Sequence, residues 1–147
     1  MVDLGCGDFR CGPVIYDSLD IVYNGYDAYN KVIEVHKKNH VPGKYNFTHL
    51  DFFNQCDSIV AGDLCILKDV LQHWSLANIY TFMDYLVASK KFKHILLINC
   101  SYQHKDNTDI PDGGIRPLSC EFLPLKKYNP VKLCNYNTKE ISVINVV

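Results

Sequence analysis

The sequence has little that would tie it to a membrane, a metal or a nucleic acid. No apolar run approaches the roughly 20 residues needed to span a bilayer, so no membrane association is expected. Charge of one sign is not in excess: 15 Lys and Arg face 16 Asp and Glu, a net charge of -1. A nonspecific grip on phosphates needs a basic surplus, which makes nucleic acid an unlikely partner. The seven cysteines contain no C-x-x-C pair, which argues against a zinc ribbon or a thioredoxin-like site, and no metal is expected. Scattered thiols of this kind suit a reducing compartment, where they serve as small apolar residues. Asp3 and Asp8 interrupt the N-terminus and no basic leader precedes an apolar stretch. A cytoplasmic location is therefore the expectation. The two Asn-x-Ser/Thr matches, at Asn46 and Asn99, fall in or beside expected strands and read as chance.

Apolar material, by contrast, is plentiful. Ten Tyr and seven Phe stand within a 48% hydrophobic composition, which excludes disorder as a description of the whole. A chain of 147 residues reads as one domain, 1–147. Short apolar runs alternate with helical patterns. Strands are predicted at Met1–Leu4, Ile21–Tyr26, Tyr45–Leu50, Asp63–Lys68 and His94–Asn99. Helices are predicted at Asn30–Asn39, with Asn30 as N-cap, and at Ser75–Lys90, where Leu76, Ile79, Phe82, Met83, Leu86 and Val87 recur at helical spacing. Ile95 to Ile98 is continuously apolar, as in a central strand covered on both faces. Val131–Tyr136 and Ile141–Val147 read as a terminal hairpin turning at Asn137-Thr138. The stretch from Phe9 to Asp20 is short for a crossover helix, and Pro13 interrupts it. The pattern is α/β, with the first five strands mostly parallel.

In such a sheet ligands bind beyond the carboxyl ends of the strands. After the first strand comes Gly5-Cys6-Gly7, where glycines permit a tight turn and close backbone approach. A dinucleotide loop would have a third glycine where Arg10 stands. Asp27 follows the second strand, and its carboxylate matches a pair of ribose hydroxyls; a turn acid is the alternative. Asp51 and Phe52 follow the third strand, suited to an amino group and a ring face; a turn acid and a core aromatic are the alternative. Lys68-Asp69-Val70-Leu71-Gln72-His73-Trp74 follows the fourth.

These residues, in this order, resemble the class I S-adenosylmethionine-dependent methyltransferases. Val2-Asp3-Leu4-Gly5-Cys6-Gly7 matches that family's first motif. Asp27 and Asp51 match the acids ending its second and third strands, and Leu67 to His73 resembles its fourth motif. Asp109 to Leu118 resembles a GG-x-RPL element of one bacterial-type subgroup. The resemblance implies a seven-stranded Rossmann-like sheet in the order 3-2-1-4-5-7-6, strand 7 antiparallel, with helices on both faces. It further implies S-adenosyl-L-methionine as cofactor. Gly5, Cys6 and Gly7 would lie against its methionine part and ribose, and Asp3 would organise the loop or meet the ammonium. Asp27, with Ala28 beside it, would take the ribose. Asp51 and Phe52 would take the adenine, and the backbone at Lys68 the methionine end. The chain departs from the family in lacking helices before its first strand. An open cofactor site, one covered by a second copy or partner chain, and a truncated one are the alternatives.

The implied reaction is attack of an acceptor lone pair on a sulfonium methyl. Asp69 and His73 are the candidate bases for a hydroxyl, four residues apart and so on one face if a helix starts there. Tyr102 and His104 are candidates to line the acceptor pocket. Arg116 would bind an anionic acceptor group or tie down the Gly113-Gly114 loop, and that loop would act as a lid. A small-molecule or sugar-like hydroxyl or amine is the expected acceptor. A non-catalytic cofactor-binding or assembly module is the second reading. A NAD-dependent oxidoreductase, weakened by the missing glycine, is the third.

Overall fold

The computed structural model describes residues 1–40, 42–101 and 107–146. Seven strands form one sheet: β1 (Val2–Leu4), β2 (Tyr23–Asp27), β3 (Tyr45–His49), β4 (Gly62–Lys68), β5 (Phe92–Cys100), β6 (Val131–Tyr136) and β7 (Lys139–Asn145). Their order is β3-β2-β1-β4-β5-β7-β6. The first five run parallel, and β7 pairs antiparallel with both β5 and β6. Three α-helices accompany them: α1 (Gly12–Tyr16), α2 (Asn30–Asn39) and α3 (Leu76–Ala88). Among the described residues, no helix is long and apolar enough to cross a membrane.

Side-chain alternation along the strands sorts the core onto the two faces of the sheet. Val2, Leu4, Cys65, Leu67, Ile95, Leu97 and Ile144 point to one face, where Ile79, Phe82, Met83 and Leu86 of α3 cover them. These four sit one helical stripe apart, and each large side chain so buried contributes about 1.5–3 kcal/mol. On the other face Tyr23, Tyr45 and Phe47 pack with Phe9 and Ile33 beneath α1 and α2. Beyond β1 on that face Ile66 is buried, whereas Leu64, Leu96, Ile98, Ile141 and Val143 are only half-buried.

Several boundaries differ from the sequence reading. Pro13 does not interrupt α1. It occupies the first turn, where a missing N–H costs nothing. Asn30 is not the cap of α2. Tyr29 takes that position with extended backbone and no side-chain bond, while Asn30 bonds Glu34 at 2.8 Å. Ser75 does cap α3, its Oγ accepting from the Asn78 N–H at 3.3 Å. The hairpin turn at Asn137 uses a left-handed φ of 52°, which asparagine tolerates.

Glu140 on β7 ties down the chain after β5. Its carboxylate accepts from the Cys120 N–H at 2.6 Å and the Ser119 hydroxyl at 2.8 Å, and it lies 3.3 Å from Lys132. Burial pushes its pKa up, but these bonds outweigh that and hold it below the usual glutamate range. A depressed folded pKa supplies stability above the unfolded value near ~4.3, and that stability is lost as pH falls through the folded pKa. Glu140→Gln should therefore lower stability at neutral pH by about 1–3 kcal/mol. It should also flatten the acid limb. Urea midpoints at neutral and acid pH measure both effects, and an unchanged acid limb would show that other carboxylates govern it.

Candidate functional site

The carboxyl ends of β1, β2, β3 and β4 converge on the Gly5-Cys6-Gly7 turn. Its geometry follows from glycine: Gly5 has φ 84° and Gly7 φ 55°. A Cβ on Gly5 would stand 2.6 Å from Cγ2 of Val70, whereas one on Gly7 would meet nothing within 4 Å. The first glycine is packed against protein and the second faces open space. The amides of Gly5 and Cys6 both donate to the Tyr26 carbonyl, at 2.8 and 3.0 Å. Asp27 completes the turn. Its Oδ2 accepts the Gly7 N–H at 3.0 Å and its Oδ1 the Tyr29 N–H at 2.8 Å. His36, buried on α2, bonds the Gly7 carbonyl through Nε2 at 2.7 Å.

Asp3 lies beneath the turn. Its Oδ2 accepts the Tyr23 hydroxyl at 2.6 Å, and its Oδ1 is buried with no partner among the described residues. Burial raises its pKa, partly offset by the Tyr23 bond and the Lys68 charge. Burial likewise pushes the Cys6 thiol well above its ordinary value, so Cys6 is a protonated wall rather than a nucleophile. Asp3, Cys6, Arg10 and Lys68 line a cleft of about 160 Å³.

A larger pocket of about 390 Å³ opens beside Ala28, Asp51 and Phe52, with Phe53, Asn54, His73, Trp74, Asn78, Asp112 and Gly113 completing it. Asp51 and Phe52 thus share a wall, although Phe52 is 7% exposed and packs into the core. The Asp51 carboxylate is held by Asn54, at 2.7 Å from its amide Nδ2 and 3.2 Å from its N–H, which lowers its pKa. Trp74 crosses Phe53 and Phe82 edge-on at centroid distances of 5.2 Å.

Two expectations need correction here. Asp69 and His73 do not share a helix face. A 3₁₀ turn, Leu71–His73, follows β4, and α3 starts only at Leu76. Asp69, at φ 60°, is ion-paired with Lys68 at 2.9 Å and with Lys139. Burial alone would raise its pKa, but the two lysines hold it below the usual range, which suits an ion-pair hub rather than a base. The Gly113-Gly114 loop is not a free lid either. Asp112 accepts from the Ser75 N–H at 2.7 Å and from Asn78 Nδ2 at 2.6 Å, and Asp109 from the Leu76 N–H at 2.8 Å. Gly113 N–H donates to the His73 carbonyl at 2.8 Å. Arg116 is 5% exposed; its Nη1 donates to the Trp74 carbonyl at 2.7 Å, while Nε and Nη2 have no partner among the described residues. It is a tie for the loop and does not line the pocket.

His73 keeps a position in the pocket wall. Its Nδ1 lies 2.8 Å from the Gly114 carbonyl. A carbonyl only accepts, so Nδ1 carries a proton, and in the neutral ring the lone pair is on Nε2. Tyr102 and His104 lie outside the described residues. The wall also contains Trp74, Asn78 and Asp112, which the sequence reading had not assigned. The only local signal among them was the single tryptophan of the chain. Among the described residues, no group of three or more His, Cys, Asp or Glu could hold a metal ion.

The same sheet recurs in solved structures. Mitomycin 7-O-methyltransferase MmcR superposes with a TM-score of 0.72 over 98% of this chain and 48% of that one, at 16% identity. The chain has the class I methyltransferase fold. Human N-acetylserotonin methyltransferase, solved with S-adenosylmethionine, shares the methyltransferase fold at TM-score 0.72 over 99% and 46%, with 17% identity. PigF with S-adenosylhomocysteine does so at 0.72 over 97% and 54%, with 14% identity. The chain therefore spans about half the length of these structures. No protein-family model and no curated protein matches it in sequence.

Proposed function

We propose that this chain is an S-adenosylmethionine-dependent methyltransferase acting on a neutral hydroxyl of a small molecule. The observation that carries the reading is the pairing of a buried carboxylate oxygen, Asp3 Oδ1, that has no partner among the described residues, with a glycine turn that starts two residues along the chain. An unpaired buried carboxylate is costly unless a cation meets it, and the cofactor's methionine end carries an ammonium. The residues present fit the group: Asp3 would take the ammonium, the Gly5–Gly7 backbone and Asp27 the ribose, and Asp51 with Phe52 the adenine. Bound there, the cofactor supplies an electrophilic methyl.

The remaining work belongs to the chain's own residues. His73 Nε2, which holds the lone pair of the neutral ring when Nδ1 donates to Gly114, would accept the proton of an acceptor hydroxyl. Trp74 and Phe53 would fix the acceptor's apolar body and exclude water. Among the described residues the pocket lining carries Asp51 and Asp112 and no Lys or Arg, which favours a neutral acceptor. That two of the solved structures named above are methyltransferases, and that two hold this cofactor or S-adenosylhomocysteine, supports the reading.

A second reading is favoured by the half-exposed face of Leu64, Leu96, Ile98, Ile141 and Val143. On that reading a second copy or partner chain covers the sheet and completes the cofactor site. One titration separates the two. Calorimetry of the purified chain with S-adenosylmethionine, S-adenosylhomocysteine and NAD should show saturable binding of the first two only. A folded chain that binds neither would overturn the first reading in favour of the second.

A further inference from the structure

We infer that Tyr23 is a positioning residue for the cofactor's amino-acid end, acting through Asp3; this rests on the cofactor reading above. Asp3 has two carboxylate oxygens in a buried setting, and they are treated differently. Oδ2 receives the Tyr23 hydroxyl at 2.6 Å, while Oδ1 has no partner among the described residues. A hydroxyl placed against a carboxylate oxygen can only donate. It therefore steadies the ionised form and leaves the second oxygen as the acceptor for a ligand.

The hydroxyl itself is not free to wander. Tyr23 is fully buried, and its ring is clamped by Phe9 at 4.6 Å and Tyr16 at 5.5 Å between centroids. Phe9 is held in turn against Tyr45 and Phe47, at 5.2 and 5.0 Å. A rigid aromatic block on the α1–α2 face thus fixes a single hydroxyl, and that hydroxyl fixes the carboxylate torsion. Burial and the neighbouring Asp3 charge push the Tyr23 pKa far above its ordinary value, so the donor proton stays in place. Lys68 lines the same cleft. An unbonded Asp3 side chain could turn to pair with it and fill its own vacant oxygen. The Tyr23 bond opposes that collapse and keeps Oδ1 presented to an incoming ammonium.

The role predicts a ligand-selective effect. S-adenosylhomocysteine carries the amino-acid end and 5′-methylthioadenosine does not, while both carry the nucleoside. Tyr23→Phe keeps the ring and its packing. It should weaken S-adenosylhomocysteine roughly tenfold, the loss of one charge-assisted bond, and leave 5′-methylthioadenosine unchanged. On an Asp3→Asn background Tyr23→Phe should add nothing further, because its effect runs through Asp3. Calorimetric titration of the four proteins with both ligands is the test. Equal losses on both ligands would mean that Tyr23 is merely structural, and additive losses would mean that it acts independently of Asp3. Unchanged S-adenosylhomocysteine affinity in Tyr23→Phe would also overturn the role. Failure of the unsubstituted chain to bind either ligand would instead overturn the cofactor reading itself, and this one with it.

Discussion

Asp27→Ala is expected to lower affinity for S-adenosylhomocysteine at least about 100-fold, the equivalent of roughly 2.7 kcal/mol. Two losses combine. Asp27 now accepts the Gly7 N–H at 3.0 Å and the Tyr29 N–H at 2.8 Å. Bonds to a charged acceptor are worth about 1.5–3 kcal/mol each, and alanine removes both. The turn proposed to cradle the ligand then loses its side-chain tie at Gly7, although Gly5 and Cys6 still hold it to Tyr26 of β2. The carboxylate proposed to meet the ribose goes with it. Titration of the variant, with circular dichroism to show retained folding, is the measurement. Undiminished affinity in the folded variant would remove Asp27 from the site and leave it a turn acid.

The second large effect concerns the rate. His73→Asn should reduce methyl transfer about 10²–10⁴-fold, the usual contribution of a general base. Asparagine is the informative choice: its amide N–H₂ can replace Nδ1–H at the Gly114 carbonyl, 2.8 Å away from the ring in the parent. The loop stays tied while the lone pair at Nε2 disappears. Cofactor affinity should therefore be unchanged and the loss should fall on the turnover number. A panel of hydroxyl acceptors with radiolabelled S-adenosylmethionine supplies the assay. A variant as active as its parent would take the base role away from His73. A parallel fall in cofactor affinity would show that the histidine shapes the adenine side instead.

What could be read from the residues and what could not divides along a physical line. Local signals served well. Gly5 and Gly7 announced a left-handed turn and have one, and Ser75 with the apolar stripe of α3 marked a helix within two residues of its ends. The strand order followed from the resemblance and stands as implied. Signals that depend on distant partners were lost. Asp69 looked like a base because it stands four residues before His73, but one of the two lysines that hold it, Lys139, is 70 positions away. Asp109 and Asp112 gave no hint that they cap a helix starting more than 30 residues earlier, because capping across the chain leaves no spacing to find. Tyr23 looked like an ordinary apolar strand residue. Its partner Asp3 is 20 positions away, and only a parallel pairing of β1 with β2 brings them together.

The stitched wall of the pocket has a consequence for how the protein opens. The bonds that join residues 109–116 to residues 73–78 close loops of 33 to 42 residues. Each such closure costs chain entropy that no local helix or turn repays in advance. Several of these bonds are solvent-exposed, which places the wall at the low end of the protein's local stabilities. The Gly5–Gly7 turn, by contrast, is anchored to β2 next to a buried aromatic block. In rising denaturant residues 109–116 should part from residues 73–78 while the Gly5–Gly7 turn still stands, so that, on the proposed reading, turnover would be lost before cofactor binding.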